Sequence, residues 1–195
     1  MRELIRKLVE TYGPSGDEEQ IRAAIRAEVE PLADEIRVDP LGSLVVHKRG
    51  RGGGQRILLD AHMDEIGVMV SYIDEKGFAR FTKIGGVFPL NCVGGRVRFA
   101  DGRLGVIGIE SKRDDPGRIP ELSELFIDVG ATSRDDCPVK VGDPAVFFRP
   151  FAVVEAGEHT RYVSKTMDDR IGCAILIETL RRLESTPHDL YLVFS

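Results

Sequence analysis

The spacing of apolar residues predicts two helices at the amino end of the chain. In MRELIRKLVETYG the apolar residues recur at i, i+1, i+4 and i+5, which is the spacing of an amphipathic helix, and Gly13 followed by Pro14 ends it. A second helix is expected to follow at once, with Ser15 or Asp17 as its N-cap, and to end at Pro31. Each helix carries one apolar stripe, so each should pack against a neighbouring element.

Short β-type runs fill most of the remaining chain. EIRVDPLGSLVVHK predicts two strands about a Pro-Leu-Gly turn, and ILLDAHMDEIGVMV begins like a buried strand. From about residue 68 to residue 158, β-rich runs alternate with Gly, Pro and Asp turns, which is typical of a small barrel or sandwich. DLYLVFS, at the end of the chain, starts another buried strand.

A third helix is predicted in SKTMDDRIGCAILIETLRRLEST. Its apolar residues have helical spacing at Ile171, Ala174, Ile175, Ile177 and Leu180. The pattern as a whole predicts an α/β fold, in which an α/β domain formed by residues 1–67 and 159–195 is interrupted by an inserted β domain at residues 68–158.

Composition narrows the class of protein. The 195 residues are 42% hydrophobic and 30% charged with a net charge of −5, which is typical of a globular protein and gives no reason to expect a nucleic-acid partner. No run approaches the ~20 apolar residues of a membrane span, and the amino end lacks the apolar core of a signal peptide. Three scattered cysteines do not make a disulfide framework. We therefore expect a cytoplasmic protein with no membrane or nucleic-acid partner.

The apolar run from residue 57 to residue 70 is interrupted by His62, Asp64 and Glu65. Side chains two apart share a face of an extended chain, so His62 and Asp64 should lie together at the carboxyl end of the strand. Open α/β sheets bind ligands at that edge. An imidazole and a carboxylate suit zinc, cobalt or manganese, with Asp64 orienting the ring. The alternative is a His–Asp pair that is hydrogen-bonded to itself or to the turn.

A second acidic constellation, Asp168 and Asp169, stands directly before the third helix. One aspartate there would cap the helix, which is the better interpretation of this motif taken alone. Such a carboxylate can also bridge two cations. If both ends of the chain contribute to one sheet, the two motifs converge on one crevice, as the site of a two-metal hydrolase requires.

Several longer motifs make the family resemblance specific. AHMDEIGVMV and SKTMDDRIGCAILIE, with YGPSGDEEQIRAAI, VDPLGSLVV, KIGGVFPLN and LFIDVGATSRDD, occur in order over essentially the whole chain. The chain resembles the dinuclear-metal glutamyl and deblocking aminopeptidases that assemble as tetrahedral dodecamers. The resemblance implies a phosphorylase/hydrolase-like metallopeptidase α/β domain with an inserted β-barrel-like dimerisation domain. It also implies a homo-oligomer, either a dimer or a dodecamer.

The resemblance also implies roles for single residues. His62 would bind one metal ion, and Asp168 would bridge two divalent ions, zinc or cobalt and otherwise manganese. Asp64 would be the catalytic residue that supports the His62 imidazole, while Glu65 and Asp169 would support the site. The peptide bond between Asp168 and Asp169 would be cis. The implied activity is hydrolysis of N-terminal residues from peptides.

The chain departs from the family pattern at its carboxyl end. The family continues after a strand like LYLVFS into a Glu-Glu pair, an Asp ligand and a distant His ligand, and none of these precedes Ser195. We therefore expect an incomplete enzyme in which part of the α/β domain is missing and activity is lost. A non-catalytic oligomerisation fragment remains an alternative. A glycosidase is a further alternative, since relatives have carried an endoglucanase label, but a chain without Trp lacks the usual stacking residue of carbohydrate clefts.

Overall fold

The computed structural model describes residues 1–110 and 118–195. The helices of these residues are α1 (Arg2–Glu10), α2 (Glu19–Val29) and α3 (Met167–Arg182). Their strands are β1 (Glu35–Val38), β2 (Leu44–Lys48), β3 (Arg56–Ala61), β4 (Gly67–Ile73), β5 (Ala79–Ile84), β6 (Arg96–Phe99), β7 (Leu104–Ile109), β8 (Leu125–Asp128), β9 (Pro144–Phe147), β10 (Ala152–Ala156), β11 (His159–Val163) and β12 (Asp189–Phe194). Short 3₁₀ turns occur at Pro89–Asn91 and Leu122–Glu124. Within the described ranges, no helix is both long and apolar enough to cross a bilayer.

The chain folds as two units. The first, here called the α/β unit, comprises Met1–Asp64 and Pro150–Ser195, and the second, the β unit, comprises Glu65–Arg149. The hairpin of β10 and β11 belongs to the α/β unit, whereas the apolar pattern had placed β10 in the insertion. The physical reason is its pairing, because β10 bonds along its length to β11, which lies in the α/β unit.

A four-stranded sheet of order β1-β2-β12-β3 forms the centre of the α/β unit. Strand β12 runs antiparallel to β2 and parallel to β3, so the two ends of the chain meet in one sheet as predicted. The three helices supply the rest of the core. Its fully buried members include Leu8, Val9, Ile21, Ile25, Leu44, Val46, Ile177, Leu192 and Phe194.

The buried stripe of α3 differs from the prediction at one position. Ile175 was expected on the apolar face, but it is 53% exposed. The buried face instead includes Arg170, Cys173, Ala174 and Ile177, which follow the i, i+3, i+4, i+7 spacing of one helix face. Ile175 follows Ala174 directly, so its side chain lies on the side of the helix that faces away from the core.

Glu28 links the three helices. Its carboxylate accepts a hydrogen bond from Lys7 Nζ of α1 at 2.5 Å and another from Arg181 of α3. The Glu28 side chain is 18% exposed. The hydrogen bond from Lys7, helped by the charges of Lys7 and Arg181, holds the pKa of the Glu28 carboxyl below its ordinary value despite partial burial.

The β unit is a closed barrel of order β4-β5-β8-β7-β6-β9. Strand β4 pairs with both β5 and β9, which closes the sheet into a barrel. The interior is filled by alternate side chains, including Val68, Val70, Ala79, Val97, Ile107, Leu125, Ile127 and Ala145. The barrel alternative of the sequence analysis is therefore confirmed.

Candidate active site

His62 and Asp64 lie just past the carboxyl end of β3. Successive side chains of this segment still point to opposite faces, as they do in a strand. His62 is exposed and Asp64 is half-buried, whereas Met63 between them is 1% exposed. His62 Nδ1 lies 2.8 Å from Asp64 Oδ1. The two side chains therefore share a face and contact each other, and the carboxylate is placed to orient the ring. Glu65 is the first residue of the β unit and is buried, and its supporting role stays a prediction.

The second nitrogen of His62 faces Asp168. The distance from His62 Nε2 to Asp168 Oδ1 is 3.2 Å, and the Asp168 side chain is 97% exposed. Burial lowers the pKa of His62, but hydrogen bonds and charges from Asp168 and Asp64 outweigh it and raise the pKa above its ordinary value. The structure thus brings together the two motifs that are 106 residues apart in the sequence. Among residues 1–110 and 118–195, no group of three or more His, Cys, Asp or Glu side chains is arranged to hold a metal ion.

The two adjacent aspartates do different things. Both have non-helical backbone angles, so the regular part of α3 begins after them, and the peptide bond between Asp168 and Asp169 is cis, as the resemblance implied. Asp169 Oδ1 accepts a hydrogen bond from the backbone N–H of Gly172 at 3.1 Å, which is a helix cap. Gly172 gives that carboxylate room, because a Cβ there would lie 2.5 Å from both Asp169 oxygens. Capping therefore falls to Asp169 and leaves Asp168 exposed beside His62.

Arg170 holds the backbone beneath the site. It is fully buried, and its guanidinium donates to four carbonyl oxygens. Nε donates to Met63 at 2.9 Å, Nη1 donates to Leu8 at 2.6 Å and also to Thr11, and Nη2 donates to Gly13 at 3.3 Å. One side chain thus fixes the segment between His62 and Asp64 and the segment that follows α1.

Ser15 contacts the site directly. Its hydroxyl donates to Asp64 Oδ2, so the expectation that Ser15 or Asp17 caps the second helix is wrong. The residue before α2 is Glu18, which makes no side-chain cap bond, and Asp17 accepts a hydrogen bond from Tyr12 Oη at 3.1 Å instead. Ser15 lies three residues before Glu18, and Asp17 is occupied by the hydrogen bond from Tyr12, so neither side chain caps α2.

The matches to known proteins decide the family. Residues 42–195 match the model of the M42 glutamyl aminopeptidases. The chain belongs to this family. A curated M42 relative from Acetivibrio thermocellus, provisionally named an aminopeptidase, is 42% identical over 197 residues, which is 100% of this chain and 58% of the relative.

Solved structures of similar proteins agree with this M42 assignment. An aminopeptidase from the archaeon Desulfurococcus kamchatkensis matches with a TM-score of 0.90 and 40% identity, over 99% of this chain and 55% of that one. The TET1 peptidase of Pyrococcus horikoshii, described as able to form a tetrahedron or a large octahedral shell, matches with a TM-score of 0.87 and 33% identity, over 100% and 60%. The resemblance and the fold class predicted from the sequence are therefore confirmed. The chain spans less than two thirds of the length of these relatives.

Two residues at this candidate site, Ser15 and Arg170, were not predicted from the sequence to belong to it. Ser15 is 49 residues from Asp64 in the chain, and no local pattern links them. Arg170 does leave a signal, because an arginine occupies a position of the apolar stripe of α3. Cys173, on the same stripe, is fully buried, and its Sγ lies 3.4 Å from the carbonyl oxygen of His62. Burial raises the pKa of the Cys173 thiol to about 12, which does not favour a nucleophile.

Proposed function

We propose that this chain carries part of the metal centre of an aminopeptidase that removes N-terminal residues from peptides. The observation that supports the proposal best is the approach of His62 Nε2 to Asp168 Oδ1 at 3.2 Å, with the opposite ring nitrogen bound to Asp64. Membership of the M42 family and the aminopeptidase names of its relatives give the reaction class.

The donor chemistry fits divalent metal ions. An imidazole nitrogen and an exposed carboxylate are ligand types used for zinc, cobalt and manganese. In the proposal His62 would be a ligand of one ion, Asp168 would help to hold both as the bridging carboxylate, and Asp169 would support the site as a helix cap. The chemistry that two bound divalent ions supply is activation of a water and polarisation of the scissile carbonyl.

Asp64 prepares the imidazole for this role. By accepting a hydrogen bond from Nδ1 it favours the tautomer that carries its proton there, which would leave the Nε2 lone pair available to a cation. The Asp168 carboxylate is 97% exposed, so its oxygens are accessible to a cation. These two donors would be aimed at one space before any ion arrives.

Two donors make a weak site, because zinc sites normally use three or four protein ligands. We therefore propose that the remaining ligands and the general base come from outside the described residues, and that the 195-residue chain alone does not hydrolyse peptides. The β unit is proposed to mediate self-association, by analogy with the assembling peptidase of Pyrococcus horikoshii. The proposed assembly is a homo-oligomer, either a dimer or a dodecamer.

Metal binding tests the proposal. Zinc and cobalt affinities of the chain are measured by competition with a chromophoric chelator, and stoichiometry is measured by elemental analysis. The His62→Ala and Asp168→Asn variants should each weaken binding by about 10-fold or more. The control is His159→Ala, which removes an exposed histidine from β11 and should leave the affinity unchanged.

The outcomes separate the candidate functions. Equal affinity in the wild-type chain, His62→Ala and His159→Ala would overturn the metal proposal and favour the non-catalytic association fragment. Hydrolysis of a cellulosic substrate that survives chelation would favour the glycosidase. Appearance of peptide hydrolysis in the wild-type chain alone would show that its site is complete without further ligands.

A further inference from the structure

Both oxygens of the Asp64 carboxylate have a hydrogen-bond donor. Oδ1 accepts the bond from His62 Nδ1, and Oδ2 accepts the bond from the Ser15 hydroxyl. The terminal torsion of an aspartate is broad, so one hydrogen bond leaves the carboxylate plane free to turn. A second donor on the other oxygen fixes that plane, and with it the direction of the hydrogen bond to the imidazole.

The loop that carries Ser15 is itself held in place. The carbonyl of Gly13 accepts the bond from Arg170 Nη2, and the turn is closed by a hydrogen bond from Asp17 N to the Pro14 carbonyl at 2.9 Å. A Cβ at Gly13 would lie 2.4 Å from Cγ2 of buried Ile21, so the backbone approaches α2 more closely than a larger residue allows. Ser15 therefore stands on a fixed segment although its own side chain is exposed.

The same guanidinium fixes the other side of the contact. Arg170 Nε donates to the carbonyl of Met63, the residue between His62 and Asp64. The two segments that meet at the contact between Ser15 and Asp64 thus share one buried support. Their separation is set by the fold and does not depend on the contact itself.

We propose that Ser15 is a positioning residue of the candidate active site and acts on His62 through Asp64. The hydroxyl fixes the carboxylate, the carboxylate fixes the proton and orientation of the imidazole, and Nε2 is thereby aimed at Asp168. This inference deepens the proposed function and rests on it for the role of His62 as a ligand. The geometry of the chain from Ser15 to His62 can nevertheless be tested without metal.

The first readout is the tautomer of His62 in a metal-free Asp168→Ala background, measured from the ¹⁵N shifts of its ring at a pH above the imidazole pKa. The Asp168 carboxylate lies 3.2 Å from Nε2 and would compete for the ring proton, so its removal leaves Asp64 to select the tautomer. The chain has four histidines, and the His62 signals are those absent from a His62→Gln variant. With Ser15 present in this background the proton should reside on Nδ1. Ser15→Ala should give a mixture of both tautomers, and Ser15→Thr, which keeps a hydroxyl, should restore the Nδ1 form.

The second readout is zinc affinity, which should fall by about 10-fold in Ser15→Ala and recover in Ser15→Thr. The matched control is Ser123→Ala in the β unit, where an exposed hydroxyl lies 3.4 Å from a Glu121 carboxylate oxygen. It should alter neither readout. Amide spectra and urea midpoints should be the same in all these variants, because the Ser15 side chain is exposed.

An unchanged His62 ring spectrum in Ser15→Ala would overturn the proposal. A change that Ser15→Thr fails to reverse would also overturn it, because the hydroxyl would not be its cause. If the wild-type chain binds no zinc while the tautomer still responds to Ser15, the positioning role is supported and the proposed metal function fails. The two claims therefore fail in distinguishable ways.

Discussion

Arg170→Met should strongly destabilise the α/β unit. The substitution keeps a long unbranched side chain in a fully buried place but removes every donor that the guanidinium presents to the backbone. The carbonyls of Met63 and Leu8 belong to residues that are 1% and 0% exposed, so water does not readily replace the lost donors. The segment after α1 and the segment after β3 would lose their common support.

The loss of unfolding free energy in Arg170→Met follows from the carbonyl oxygens of Met63 and Leu8. A buried acceptor left without a donor costs about 1–3 kcal/mol, so two of them cost about 2–6 kcal/mol. The expected loss of unfolding free energy lies in the lower part of this range, about 2–4 kcal/mol. The reason is that removing a buried charge recovers some desolvation free energy. The Leu8 carbonyl also keeps a long hydrogen bond from Thr11 N at 3.3 Å.

Urea unfolding followed by far-UV circular dichroism measures this loss, because α1, α2 and α3 all belong to the α/β unit. With a slope of about 2 kcal/mol per molar, the midpoint should fall by roughly 1–2 M. The control is Arg22→Met. Arg22 is half-buried and its guanidinium donates one hydrogen bond, to the Gly42 carbonyl at 3.1 Å. Losing it should lower the free energy of unfolding by less than about 1 kcal/mol. Equal midpoints for the two variants would refute the reasoning. If Arg170→Met does not fold, Arg170→Lys, which keeps a donor, should fold with a midpoint below those of the wild-type chain and Arg22→Met.

Two further predictions concern the helices. Glu28→Gln should lower the free energy of unfolding by about 1 kcal/mol at neutral pH. Because the folded-state pKa of this carboxyl is depressed, its contribution is present above the unfolded-state pKa and disappears as pH falls through the folded-state pKa, so the loss should shrink and then vanish in urea titrations carried to acid pH. A loss that persists there would show that packing is responsible and charge is not. Gly172→Ala should lower the midpoint by the equivalent of about 1 kcal/mol although alanine favours helix, because its Cβ displaces the capping carboxylate of Asp169. A raised midpoint would show that this carboxylate moves at no cost.

Local patterns were sufficient to predict most of the fold. The apolar spacing located α1 and α3, an apolar run located β3, and short β-rich runs between turn residues located the barrel strands, because these patterns are properties of short segments. The two-residue spacing of His62 and Asp64 located their shared face for the same reason. The contact of Ser15 with Asp64 depends on where a loop is carried by the packing of two helices and a sheet, and no short segment contains that information.

Asp168 and Asp169 show why the competing interpretations of one motif need not exclude each other. A carboxylate that caps a helix is committed to a backbone amide, so a single aspartate could serve the helix or a cation but would do each poorly. With two in succession, Asp169 bonds to Gly172 N while Asp168 remains 97% exposed with one oxygen 3.2 Å from His62. The cap ties the backbone of the pair to the start of α3, where buried Arg170 holds it against the His62 segment. Asp169 and Arg170 therefore set the position of the Asp168 carboxylate. The oxygens of Asp168 itself make no bond to the helix and remain accessible.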